Sequence, residues 1–292
     1  MENMKQSLPL YSNKKFKDCI VKQVKSAILE DLGEQDFTAI LIEPSILAEA
    51  KIIARESALI CGIPWVNECF KQISPTTKIE WLIKEGDRVK EDQVICYIYG
   101  NARGILSAER TALNFLQTLS ATATVTRQYV NETEGTSARI MDTRKTIPGL
   151  RLAQKYAVFI GGGLNQRIGL YDGILIKENH IVSAGGIEAA LSAAKKLGEA
   201  NDLPIQIEVE TLTQLETAIH AGAKLILLDN FDLPALKKAV EINSNRAILE
   251  ASGGINLKNV HDIARTGVDR ISIGSLTKDI QAIDLSMRFN QI

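Results

Sequence analysis

The chain has 292 residues and sets 34 Lys+Arg against 35 Asp+Glu, a formal net charge of -1. That balance excludes a generic polyanion binder, and 45% hydrophobic with 24% charged residues excludes a disordered or fibrous chain. At roughly 150 residues per domain, two domains are expected, one of which could be a barrel. In chain order, a helix is predicted around Cys19 to Leu32. Strands are predicted at Lys51 to Arg55, Ile79 to Leu82 and Gln93 to Tyr99, with Gly86-Asp87 marking a turn. From Ser107 onward, Ala112, Leu113, Leu116, Leu119 and Ala123 recur at helical spacing and end the first region in a long helix. Beyond it, short Ile, Leu and Val runs alternate with amphipathic stretches: Ala138 to Met141, Gly173 to Ile176, Ile205 to Val209, Leu225 to Leu228, Ala247 to Leu249 and Arg270 to Ile273. Continuous apolar runs are strands covered on both faces, and their alternation with helices predicts parallel pairing, as a β/α barrel or an open doubly wound sheet.

The residues just past each run favour the barrel. Asp142-Thr-Arg-Lys145, Lys177-Glu-Asn-His180, Glu210, Asp229-Asn230, Glu250-Ala-Ser-Gly-Gly254 and Gly274-Ser275 follow the six strands in turn. Loops at that end of a β/α barrel build its active site, whereas an open sheet gathers its ligand at one crevice. Ser252, Gly253 and Gly254, and then Gly274 and Ser275, place glycine between strand and helix on the last two units, where backbone amides can approach a phosphate. Gly161-Gly-Gly163 has Gln166 at the sixth position of a GxGxxG frame, so no dinucleotide fold is read.

Arg110, Arg144, Lys145, Arg167 and Lys177 sit at strand ends or helix starts, a placement suited to a small polyanion. Arg151 and Lys155, by contrast, are expected on a solvent face. Glu210 and Asp229 end neighbouring strands and are expected to face one pocket, where Mg2+ could bridge carboxylates and substrate phosphates. Cations, carboxylates and a phosphate cradle together suit a phosphorylated sugar with a leaving pyrophosphate. The four cysteines lack CxxC spacing and the three histidines lack HExxH spacing, so neither forms an expected metal site. Residues 1–18 have no apolar core of a secretory signal and no apolar run could span a bilayer; a cytoplasmic protein without membrane or nucleic-acid partners is expected.

Across nearly the whole chain the ordered motifs resemble the quinolinate phosphoribosyltransferase family. They are Glu30-Asp-Leu-Gly33, Asp36-Phe-Thr38, Ala108-Glu-Arg-Thr-Ala-Leu-Asn114, Asp142-Thr-Arg-Lys-Thr-Ile-Pro-Gly-Leu150, Lys155-Tyr-Ala157 and Gly161-Gly-Gly163. Leu175-Ile-Lys-Glu-Asn-His180, Glu208-Val-Glu210, Leu228-Asp-Asn230, Glu250-Ala-Ser-Gly-Gly-Ile255 and Ile271-Ser-Ile-Gly-Ser275 continue the series. The resemblance implies an N-terminal α/β sandwich over residues 1–112, an incomplete β/α barrel over residues 113–280, and a tail, 281–292, returning to the first domain. It implies transfer from phosphoribosyl pyrophosphate to quinolinate with loss of carbon dioxide, giving nicotinate mononucleotide in NAD biosynthesis, with Mg2+ as cofactor.

By position, the resemblance assigns Arg144, Lys145, Arg167 and Lys177, with Thr143 beside them, to the quinolinate carboxylates. It assigns Glu210 and Asp229 to ribose and magnesium, Ser252 to Gly254 and Gly274-Ser275 to phosphate, and Arg110 to a site shared across a homodimer. Gln166 stands where the related motif usually reads histidine, which bears on any charged role there. Two other readings are a Schiff-base aldolase using Lys145 or Lys177, and a non-catalytic sensor of phosphosugars or pyridine carboxylates.

Overall fold

A computed structural model describes residues 11–290; residues 1–10 and 291–292, the extreme ends of the expected first domain and its tail, lie outside the described residues. In chain order the elements begin with α1 (Lys14–Leu32), β1 (Leu47–Ala54), β2 (Ala58–Leu59), α2 (Ile63–Ile73), β3 (Lys78–Trp81), β4 (Arg88–Val89), β5 (Val94–Asn101) and α3 (Ala102–Glu132). Next come β6 (Arg139–Met141), α4 (Arg151–Ile160), β7 (Ile174–Ile176), α5 (Glu178–Ala184), α6 (Ile187–Asn201), β8 (Ile205–Val209) and α7 (Leu212–His220). The chain closes with β9 (Leu225–Asp229), α8 (Leu233–Asn243), β10 (Ile248–Ser252), α9 (Val260–Ala264), β11 (Arg270–Ser272), α10 (Ser275–Lys278) and β12 (Leu285–Asn290). Among the described residues no helix is long and apolar enough to cross a membrane.

Among the described residues, the first compact unit comprises 11–127, 147–162 and 279–290. Its four-stranded sheet has the order β12-β1-β5-β3, with β12 antiparallel to β1 and β5 antiparallel to both β1 and β3. Strand β1 alternates between buried and more open residues, so Ala48, Ala50, Ile52 and Ala54 share one face, as a strand covered on one side must. They join Phe16, Trp65, Phe70, Ile98, Leu113, Leu116 and Leu119 in one apolar core. Cys61, Cys69 and Cys96 are fully buried as plain thiols, and burial holds Cys69 and Cys96 up at about 12.

The expected boundary at residue 112 is corrected. Helix α3 runs unbroken from Ala102, and its buried stripe from Ile105 to Ala123 belongs to the first unit's core, so that unit extends to Arg127. Residues 147–162, read as part of the barrel, also pack there through Ala153, Tyr156 and Ala157 of α4. The expected solvent face of α4 is corrected with it: Lys155 is 0% exposed and engaged in a polar contact, and Arg151 is half-buried. Helical spacing shows that residues share a face; it does not show what covers that face.

The second unit, residues 128–146 and 163–278, holds a six-stranded all-parallel sheet ordered β6-β11-β10-β9-β8-β7. Each strand from β7 to β11 lies beside its successor, and β6 pairs with β11 instead of β7. This is the singly wound order of a barrel whose β6 and β7 terminate the ladder, without the reversal of a doubly wound sheet. Ile207, Val209, Ile226, Leu228, Leu249, Ala251 and Ile271 are at most 2% exposed and supply the apolar runs seen in the sequence. In-register pairing sets Ser252 beside Asp229 and Glu250 beside Arg270, so strand ends far apart in sequence become neighbours.

Candidate active site

At the C-terminal ends of these strands lies a cavity of about 290 Å³. Its wall takes Thr143, Arg144 and Lys145 from the loop after β6, Gln166 and Arg167 from the segment before β7, and Leu175 and Lys177 from β7 and its end. Glu208, Leu227, Asp229, Glu250, Ser252 and Ser272 come from β8 to β11. The four cations expected to meet quinolinate are thus gathered in one unit, around a space the size of a small ligand.

Neighbouring groups hold Lys145, Arg167 and Lys177. Lys145 donates its backbone N–H to Thr143 Oγ1 (3.0 Å), and its carbonyl accepts from Thr277 Oγ1 (2.7 Å). Gly274 gives the Lys145 arm room, because a Cβ there would lie 2.9 Å from Lys145 Cδ and the side chain would have to shift. Arg167 donates to the Gly173 carbonyl (2.9 Å); burial first, and then the Arg144 guanidinium, holds its own guanidinium below the usual value, against the opposing pull of Asp172. Asp142, fully buried, accepts from the Gln166 backbone N–H (2.8 Å) and from Asn165 Nδ2 (2.7 Å), fixing the segment that carries Arg167. Lys177 Nζ meets Glu208 Oε2 at 2.5 Å, a charge contact in which the lysine is 45% and the glutamate 10% exposed.

The carboxylates are arranged differently from expectation. Asp229 lines the cavity, but Glu210 is exposed and lines a separate depression with Thr211, Asn230 and Asp232. Glu208 takes the place facing Lys177. The reason is where the strand ends: the period of two puts Gln206 and Glu208 on one face of β8, but β8 stops at Val209, and the Glu210 backbone N–H turns to donate to Gln214 Oε1 (2.7 Å) at the start of α7. Reading only the residue beyond each apolar run passed over Glu208, and it marked Glu250 without giving it a role. The available signal was a charged residue inside an otherwise apolar strand.

Ser252 lines the cavity, and Gly253 and Gly254 continue from it with φ of 98° and 61°, values that favour glycine. A Cβ on Gly253 would fall 2.1 Å from Asn230 Oδ1. Asn230 in turn donates to the Ser252 carbonyl through its backbone (2.9 Å) and to Asp229 Oδ2 through its side chain (2.9 Å). After β11, Ser275 Oγ is buried with no hydrogen-bond partner among the described residues, as an acceptor-seeking hydroxyl in a phosphate loop would be. Arg110 belongs to the first unit, exposed in the third turn of α3; the helix starts earlier than the sequence suggested.

Comparison with known proteins matches residues 122–288 to the model "Quinolinate phosphoribosyl transferase, C-terminal domain" and residues 36–120 to the corresponding N-terminal domain. A Bacillus subtilis relative named "Probable nicotinate-nucleotide pyrophosphorylase [carboxylating]" is 39% identical, over 91% of this chain and 92% of its own. A Nicotiana tabacum relative, named a mitochondrial quinolinate phosphoribosyltransferase [decarboxylating], is also 39% identical, over 91% of this chain and 81% of its own. The solved structure of the nicotinate-nucleotide pyrophosphorylase from Francisella tularensis superposes with a TM-score of 0.91 at 45% identity, covering 94% of this chain and 97% of that one.

Proposed function

We propose, from the premise that this chain belongs to the quinolinate phosphoribosyltransferase family, that the cavity at the ends of β6 to β11 is where its two substrates meet. The enzyme transfers the phosphoribosyl group of phosphoribosyl pyrophosphate to quinolinate with decarboxylation, yielding nicotinate mononucleotide, pyrophosphate and carbon dioxide in NAD biosynthesis. The observation that carries the assignment of the site is the convergence of Arg144, Lys145, Arg167 and Lys177 on one cavity that Glu208, Asp229 and Ser252 also line.

In this reading the four cations bind the two quinolinate carboxylates and orient the ring nitrogen toward the sugar. Backbone amides of the Ser252 to Gly254 and Gly274 to Ser275 segments, with the Ser275 hydroxyl, take the phosphate. As the bond to pyrophosphate lengthens, the ribose acquires cationic character, which Glu208 and Asp229 stabilise across the cavity. Attack by the ring nitrogen leaves it positively charged, and that charge stabilises the carbanion created when the adjacent carboxylate departs as carbon dioxide; a proton then replaces it. No covalent intermediate with a lysine is needed.

Magnesium is part of the same proposal. Among the described residues no three His, Cys, Asp or Glu side chains gather as a closed cage. One or two carboxylates completed by substrate phosphates suit a cation that keeps much of its water. Asp229, with Glu208 beside it, would hold it, and Glu210 would not. Bound there, magnesium would neutralise charge on the departing pyrophosphate. The reading also includes a cytoplasmic location and a homodimer in which the partner subunit's Arg110 completes each site.

Steady-state kinetics separate the old and new carboxylate assignments. Glu208→Gln and Asp229→Asn should each lower kcat by about 100-fold. Glu210→Gln should stay within about twofold of the parent, as for a surface carboxylate. Equal damage from Glu210→Gln and Glu208→Gln would overturn the assignment.

A further inference from the structure

Glu250 has no part in the reaction as described, yet it is wholly buried and stands in the cavity wall. Two side-chain amides hydrogen bond to its carboxylate. Gln166 donates Nε2 to Oε1 and Gln206 donates Nε2 to Oε2 at 3.1 Å, while the Ser272 hydroxyl nearby donates to the Ala251 carbonyl. The ring closes through a contact of 3.4 Å from Gln166 Nε2 to Gln206 Oε1. Burial raises the Glu250 carboxyl, these hydrogen bonds counter that rise, and Arg270, its in-register neighbour on β11, adds to them.

A primary amide has two ends of nearly equal size, one donating and one accepting, so packing alone does not choose between its two orientations. An ionised carboxylate only accepts. Glu250 therefore selects the Nε2 end of both glutamines and fixes the polarity of the whole ring. Gln166 is the member that also faces the quinolinate cations, through its place in the wall beside Arg144 and Arg167.

We propose that Glu250 is a positioning residue for quinolinate: it locks the orientation of the Gln166 amide, and that orientation sets the affinity of the carboxylate pocket. The inference rests on the assignment of this cavity to quinolinate. Removing the negative charge of Glu250 would by itself favour a dianion. Orientation and charge thus predict opposite changes, and the sign of the effect separates them.

The test is the kinetic comparison of three variants with the full-length enzyme. In Glu250→Gln one arm of residue 250 becomes a donor facing a donor, so an amide of the ring must turn over. The KM for quinolinate should rise about tenfold, while kcat and the KM for phosphoribosyl pyrophosphate stay within about threefold. In the double variant Gln206→Glu with Glu250→Gln, the new carboxylate accepts from the residue 250 amide, whose Oε1 again accepts from Gln166. Every donor is matched, and the KM for quinolinate should return to within about twofold of the parent. A KM that is unchanged or lowered in Glu250→Gln overturns the proposal, as does a uniform loss that the double variant fails to reverse. If Glu250→Gln does not fold, the double variant alone decides: a parental KM supports the proposal and a tenfold rise overturns it. Arg167→Ala is the control on the pocket itself. If it leaves the KM for quinolinate unchanged, the assignment of the cavity fails; if it raises that KM while Glu250→Gln does not, only the role of Glu250 fails.

Discussion

Nicotinate carries one carboxylate where quinolinate carries two, and Arg144, Lys145, Arg167 and Lys177 all line the cavity that would receive it. With nicotinate, the charge-assisted hydrogen bonds of part of this cationic cluster are lost, each worth about 1.5–3 kcal/mol. Nicotinate should accordingly be a substitute at least 100-fold poorer in kcat/KM, measured with phosphoribosyl pyrophosphate saturating. Comparable turnover of the two acids would be incompatible with this use of the cluster. Gly253 gives a second prediction. An alanine there would need a positive φ and would drive its Cβ into Asn230, which ties Ser252 to Asp229. Gly253→Ala should abolish measurable activity and cost about 1–3 kcal/mol of stability. Gly274→Ala meets only the flexible arm of Lys145, so its stability should change little while kcat/KM falls.

At the level of elements, α2 shows how a distant side chain can begin a helix. Gly62 precedes it in a left-handed conformation and offers no side-chain cap. Glu85, from the loop before β4, instead accepts the Gly62 N–H (2.7 Å) and the Ile63 N–H (3.0 Å), one on each carboxylate oxygen. Glu85→Gln turns an amide NH2 toward one of those donors and should cost about 1–3 kcal/mol, read as a lowered Tm. Burial, the largest influence, pushes the Glu85 carboxyl above its ordinary value despite these bonds. Its ionisation therefore costs stability above the raised folded value, and that cost is relieved as pH falls toward the ordinary carboxylate range. The Tm gap between parent and Glu85→Gln should thus widen on mild acidification, because the amide gains nothing from the proton. A gap that narrows over the same range would contradict the direction of the shift.

On the scale of the whole molecule, the proposed dimer makes the sharpest demand. Arg110 is exposed on α3 of the first unit and Lys177 lines the cavity of the second. If each site is completed by the partner subunit's Arg110, then Arg110→Ala and Lys177→Ala homodimers should both be inactive. Mixing them under conditions that exchange subunits should restore activity, since a heterodimer holds one site with both residues intact. No recovery, with exchange confirmed independently, would return Arg110 to its own subunit or remove it from the chemistry.

The sequence by itself determined the class of each region and the end of the barrel where chemistry collects. Burial on both faces forces parallel strands into apolar runs, and a polar residue after such a run stands out. Arg144, Lys145, Lys177, Asp229 and Ser252 were legible for that reason, Arg167 only through the ordered motifs, which were specific enough to point to the family. What only the tertiary structure decided was partnership. Glu208 and Glu250 lie within their strands, and their function depends on facing Lys177 and Gln166, residues 31 and 84 positions away. Glu210 and Lys155 were misread for the converse reason, since a charge beside an apolar run carries no record of what will cover it. The domain boundary moved because α3 and α4 bury their stripes in the first unit's core, a choice made by packing between distant segments and not by any local signal.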